Sequence, residues 1–156
     1  MVVVNWQQIL EERLAVFGHR NWIVVADSAY PAHSRGGIET VATNRDQLGV
    51  LEAVLARLTI SRHVKPIVYT DRELESVPES DAPGIAEYRR KLADLLSGQP
   101  VSTLPHEEII ALLDQAGKTF HVLILKTDLT IPYTSVFIQL DCAYWTEDAE
   151  RRLRGH

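Results

Sequence analysis

The chain has 156 residues, 46% of them hydrophobic and 24% charged, which fits one soluble globular domain spanning 1–156. Its 16 Lys and Arg against 21 Asp and Glu leave a net charge of −5, the wrong sign for a surface that neutralises nucleic-acid phosphates. A single cysteine, Cys142, excludes an intrachain disulfide, and no apolar run approaches the ~20 residues of a membrane span. The opening MVVVNWQQ has no basic segment and no long apolar core, so no secretory leader is expected and the broad class is cytoplasmic.

Asn5 and Gln8 have the spacing of a capping box. Trp6, Ile9, Leu10, Leu14 and Phe17 then recur at helical spacing, and Gly18 is placed to end that helix in the left-handed conformation. Residues 22–27 read as a continuous buried strand, followed by a turn-rich loop, SAYPAHSRGG, and a short extended segment from Ile38 to Thr43. Asp46 is a helix N-cap ahead of Leu48, Leu51, Val54, Leu55 and Leu58. Val64–Thr70 is a strand that Pro66 restricts to an edge or a strand start. The polar stretch from Asp71 to Pro83 reads as a surface loop or a broken helix.

A further helical stripe, Ile85, Tyr88, Leu92, Leu95 and Leu96, closes at Ser97-Gly98. Val101–Leu104 is a short strand. Pro105 suits the first turn of the next helix, which carries Ile109, Ile110, Leu112 and Leu113 and ends at Gly117. Thr119–Lys126 is the strongest strand pattern. A turn with Pro132 leads to a last strand, Ser135–Leu140, and a charged tail that is frayed or helical. The alternation of helix and strand predicts an α/β fold in three layers, a central sheet with helices on both faces.

No phosphate-binding loop, zinc-protease motif, nucleophile elbow or paired-cysteine motif occurs. Cys142 reads as a small buried hydrophobe. Position alone leaves each polar candidate with two readings. His19 follows a helix end, where it either satisfies terminal carbonyls or carries a proton stabilised by the helix dipole. His106 opens a helix, where the dipole favours a neutral ring, and a plain exposed first-turn residue fits as well. Asp27 closes a strand, the position where ligands bind in open α/β sheets and where a turn aspartate is equally at home. Tyr133 and Ser135 flank a turn.

Taken together, these residues match a family pattern. Gly18, His19, Val24, Asp27 and Pro31 resemble the start of the D-ribose pyranase / L-fucose mutarotase (RbsD/FucU) family. TLPHEEI at 103–109 resembles its strand, histidine and helix start, and LILKTDLTIPYTSVFIQ at 123–139 resembles its closing strands and proline–tyrosine turn. Residues 38–100 match in pattern alone. Two departures stand out. Ser135 takes the place of an amide two residues after the tyrosine, and TNRDQLGVLEAV, with Arg45 and Asp46, replaces a run of small apolar residues.

The resemblance implies a central mixed sheet, no cofactor, no metal, and interconversion of ring forms or anomers of a monosaccharide. It implies His19 as proton donor, and Asp27, His106, Tyr133 and Ser135 as sugar-binding residues. It also implies a ring-shaped homo-oligomer with sites between subunits, and no nucleic-acid or membrane partner. A histidine near neutrality exchanges protons in both directions, as opening and closing a hemiacetal requires. The alternative is a non-catalytic oligomeric protein that binds a sugar or another small polar ligand. A metal site from His19, Asp27 and His106 has no support in local spacing.

Overall fold

The computed structural model describes residues 5–155. Six strands make one mixed sheet: β1 (Trp22–Ala26), β2 (Ile38–Ala42), β3 (Val64–Asp71), β4 (Val101–Leu104), β5 (Val122–Lys126) and β6 (Val136–Cys142). Their order across the sheet is β2-β5-β1-β6-β3-β4. β2, β5 and β1 pair in parallel, as do β3 and β4, while β6 runs antiparallel between β1 and β3. The α-helices among the described residues are α1 (Trp6–Val16), α2 (Gln47–Ile60), α3 (Ile85–Leu95), α4 (His106–Gly117) and α5 (Glu147–Leu153).

Side-chain alternation along the strands splits the interior in two. Ile23, Val25, Leu123, Leu125, Ile138 and Leu140 point to one face, where α1, α2 and α3 cover them with Leu10, Leu14, Leu51, Val54, Ile85 and Leu92. Trp22, Val24, Ala26, Ile124 and Phe137 point to the other face, against Ile109 and Leu113 of α4. The expected three layers are therefore present, three helices on one side and one on the other. β1 is buried along its whole length, which explains why its sequence is continuously apolar rather than alternating. Each of its fully buried Val and Ile side chains contributes roughly 1.5–3 kcal/mol.

Local chemistry sets the element ends. Asn5 Oδ1 accepts from the Gln8 N–H, but the Gln8 side chain turns to Glu12, so the capping box is half formed. Asp46 Oδ2 caps α2 by accepting from the Gly49 N–H. Pro66 lies in the part of β3 that pairs only with β6; pairing with β4 starts at Val68, so the missing N–H faces no strand. The polar stretch after β3 is a broken helix, a 3-10 turn over Arg72–Ser76 followed by irregular chain. The tail forms α5, with Thr146 as its N-cap.

Some boundaries differ from expectation. Gly18 does not close α1 in the left-handed region. The chain leaves the helix through an extended Phe17, and the left-handed residue of the turn is Arg20 at φ 80°. Gly117 is the last residue of α4 rather than a cap. The Gly37 backbone packs against it so closely that a Cβ there would lie 2.6 Å from the Gly117 carbonyl oxygen. β5 starts at Val122 rather than Thr119, and β6 runs on to a half-buried Cys142. Among the described residues no helix is long and apolar enough to cross a membrane.

Candidate functional site

Because β6 runs against β1 and β3, its first residues lie at the same edge of the sheet as their last. That edge collects Asp27 after β1, Asp71 at the end of β3, His106 after β4, and the turn Tyr133-Thr134-Ser135 before β6. It is the carboxyl edge of the parallel strands, where open α/β sheets hold ligands.

Two hydrogen-bonded pairs make up the cluster. The Ser135 hydroxyl donates to Asp27 Oδ1 at 2.6 Å and accepts from the Asp27 N–H at 3.1 Å. Ser135 is 2% exposed, so both of its bonds turn inward to Asp27. His106 places Nδ1 3.0 Å from both carboxylate oxygens of Asp71. The His106 N–H donates to the Glu73 carboxylate, which satisfies one of the free amides of the first turn of α4. The expectation for His106 considered the helix dipole alone; Asp71 adds a negative partner from another strand.

Asp71 is 1% exposed. Burial pushes its carboxyl up to about 6; the adjacent His106 pulls it down, and Glu73 and Asp27 push it further up. The Tyr133 ring stands edge-on to His106 with centroids 5.7 Å apart, and Phe137 closes the other side at 6.5 Å. Tyr30 packs on Phe137, and burial, followed by the charges of Asp71 and Asp27, raises its phenol. Tyr30 Oη and His33 Nε2 are buried without a hydrogen-bond partner. Thr40 Oγ1 on β2 is the third such buried atom among the described residues; a native structure carries few of them. A recess of about 330 Å³ opens beside Asp27, walled by Ser28, Ile131 and Pro132.

Tyr133 has φ 60°, the left-handed region that a bulky side chain rarely enters. Its neighbours hold it there. The Thr134 carbonyl accepts from Gln47 Nε2 at 2.9 Å and from the Tyr88 hydroxyl at 2.6 Å, and the Thr134 hydroxyl donates to the Ile131 carbonyl. Gln47 is itself buried. It also donates to the Val25 carbonyl, and its Oε1 lies 2.7 Å from the Thr127 hydroxyl. This amide therefore pins the turn to the end of β1.

His19 stands apart. It lies just ahead of β1, at the opposite edge of the sheet, with Nδ1 3.1 Å from Asp141 near the end of β6. One chain thus brings Asp27, His106, Tyr133 and Ser135 together and leaves His19 outside. The trio His19, Asp27 and His106 does not meet within a chain, and among the described residues no three His, Cys, Asp or Glu side chains are grouped to hold a metal ion. Sequence reasoning missed Asp71, Glu73 and Gln47. Asp71 closes a strand just as Asp27 does, and that shared position was the signal available for it.

The fold and cluster define an open α/β protein with carboxylates, an imidazole and a phenol gathered at the carboxyl ends of its strands. The chain belongs to the RbsD/FucU family: the model of the RbsD / FucU transport protein family matches residues 7–142. Bacillus subtilis RbsD, solved in complex with D-ribose, superposes with a TM-score of 0.62 at 20% identity, covering 90% of this chain and 95% of that one. The fucose mutarotase of Streptococcus pneumoniae, solved in complex with L-fucose, gives 0.56 at 19% identity over 85% and 91%. FucU of Bifidobacterium longum gives 0.54 at 18% over 86% and 94%. No curated protein matches the sequence.

Proposed function

We propose that this protein interconverts ring forms or anomers of a monosaccharide by proton transfer, without a cofactor, in a ring-shaped homo-oligomer whose sites lie between subunits. The observation that carries this reading is the convergence of Asp27, Asp71, His106 and Tyr133 at one open edge of the sheet. Membership of the RbsD/FucU family supports it.

Ring opening removes the proton of the anomeric hydroxyl. Its oxygen then forms a carbonyl with C1, the bond from C1 to the ring oxygen breaks, and the ring oxygen keeps that electron pair and takes up a proton. Reversal on either face of the carbonyl gives the other anomer, and closure by a different hydroxyl gives the other ring size. The step needs a donor and an acceptor held in register rather than a redox or metal centre.

In this reading the Asp71 carboxylate engages Nδ1 of His106 and leaves Nε2 for the sugar. Asp27 has one oxygen taken by Ser135, and the other accepts a sugar hydroxyl. Ser135 therefore acts on the sugar through Asp27, and Tyr133 offers its hydroxyl from a residue that is 39% exposed. His19, with its side chain 55% exposed, serves as proton donor in the site of the adjacent subunit. Its distance from the rest of the cluster supports a site shared between copies.

Saturation-transfer NMR on a panel of aldoses, starting with D-ribose and L-fucose, tests this. Exchange between anomers is expected to quicken with the wild type and to fall to the uncatalysed rate with His19→Ala and with His106→Ala. Unchanged exchange for every sugar sinks the enzymatic reading. Sugar binding with unchanged exchange favours the alternative, a non-catalytic sugar-binding oligomer.

A further inference from the structure

Around His19 the chain builds a wall from residues beyond the family match. That match ends at residue 142, and β6 ends there too. The chain then turns through Tyr144 and Trp145 into α5, and this segment, with His19 and Asp141, encloses a recess of about 520 Å³. That volume lies in the range of small-molecule sites. Most other aromatic side chains are buried, whereas Tyr144 is 76% and Trp145 45% exposed. Trp145 is nonetheless fixed. Its Nε1 donates to Glu150 Oε1 at 3.0 Å, Glu150 is held on its other side by Arg154, and Thr146 caps the helix that carries them. Glu147 and Asp141 line the same recess with carboxylates.

A rigid, half-exposed indole beside carboxylates matches the chemistry of a monosaccharide, which has an apolar C–H face and a rim of hydroxyls. We propose that the recess is the outer half of the sugar site: Trp145 packs on the C–H face, Asp141 and Glu147 accept from hydroxyls, and the His19 imidazole lies alongside. This rests on the reading of His19 as proton donor to a sugar. The wall then arrives at the shared site together with His19 and acts as a specificity element belonging to this chain.

The test uses the full-length protein with D-ribose and L-fucose, measuring KM and kcat for anomer exchange by NMR. Trp145→Ala is expected to raise KM about tenfold with kcat nearly unchanged, the mark of a lost binding contact, and Trp145→Phe to restore most of the loss. In the wild type, sugar is expected to quench tryptophan emission; Trp145→Phe removes that response, since the other two tryptophans, Trp6 and Trp22, are buried. An unchanged KM in Trp145→Ala, or quenching that survives in Trp145→Phe, overturns the proposal while exchange lost in His19→Ala leaves the functional reading standing. If the wild type neither turns over nor binds any sugar of the aldose panel, the functional reading falls and this inference falls with it.

Discussion

Replacing Asp71 by asparagine isolates one buried charge. The folded protein holds this carboxyl at about 6 against an ordinary 3.8, chiefly because it is buried, so the native state grips its proton more tightly than the unfolded chain does. The stability associated with that proton is complete below the unfolded value near 4 and is lost as pH rises through about 6. A shift of about two pK units corresponds to roughly 3 kcal/mol. An asparagine at this position cannot ionise and keeps an oxygen facing His106. Asp71→Asn should therefore gain up to about 3 kcal/mol on the wild type between pH 4 and pH 7. Urea unfolding of both proteins at pH 4, 5, 6 and 7, with equal m-values, gives the difference directly. A constant gap across this range, or one that increasingly favours the wild type as pH rises, refutes the argument. The second result would mean that the ion pair with His106 outweighs the burial of Asp71. Exchange activity should move the other way, falling in Asp71→Asn at neutral pH because His106 loses its anionic partner.

A mixture of His19→Ala and His106→Ala chains, unfolded and reassembled together, should recover roughly a quarter of wild-type exchange, since random assembly joins an intact His19 to an intact neighbouring His106 at one site in four. No recovery would place both groups in one subunit's site. Gln47→Leu should destabilise by roughly 2–3 kcal/mol in urea unfolding, because it strips a donor from the buried Val25 and Thr134 carbonyls. Tyr133→Asn should keep or raise the melting temperature, since asparagine tolerates the left-handed backbone at φ 60°, while anomer exchange falls. A large loss of stability there would mean the tyrosine ring holds the turn.

The fold was legible wherever a pattern was local. The stripe from Trp6 to Phe17, the Asp46 cap and the continuous run of β1 each follow from a few adjacent residues, and each is where it was expected. What stayed hidden depended on pairing between distant segments. Asp71 reads as the start of a polar loop until β3 is laid beside β4, which brings His106 to it from 35 residues away. Gln47 looks like an ordinary polar first-turn residue; only the packing of α2 over the end of β1 turns its amide inward. Ser135 drew notice as a short stand-in for an amide, and its actual partner is Asp27, 108 residues earlier. Gly18 misled because glycine is the usual left-handed helix end, whereas here the chain exits through an extended Phe17 and Arg20 takes the strained angle two residues after the glycine.

The reversed direction of β6 has a consequence for assembly. This one strand carries the Tyr133–Ser135 turn at its start and Asp141, the partner of His19, near its end. Its seven residues amount to a rod of about 23 Å. In the ring proposed above, that rod would be the spacer between the site a subunit completes for its neighbour and the site completed for it. An insertion or bulge within β6 would leave each half-site chemically intact yet change the pitch between successive sites, so that the ring could no longer close with every half-site matched.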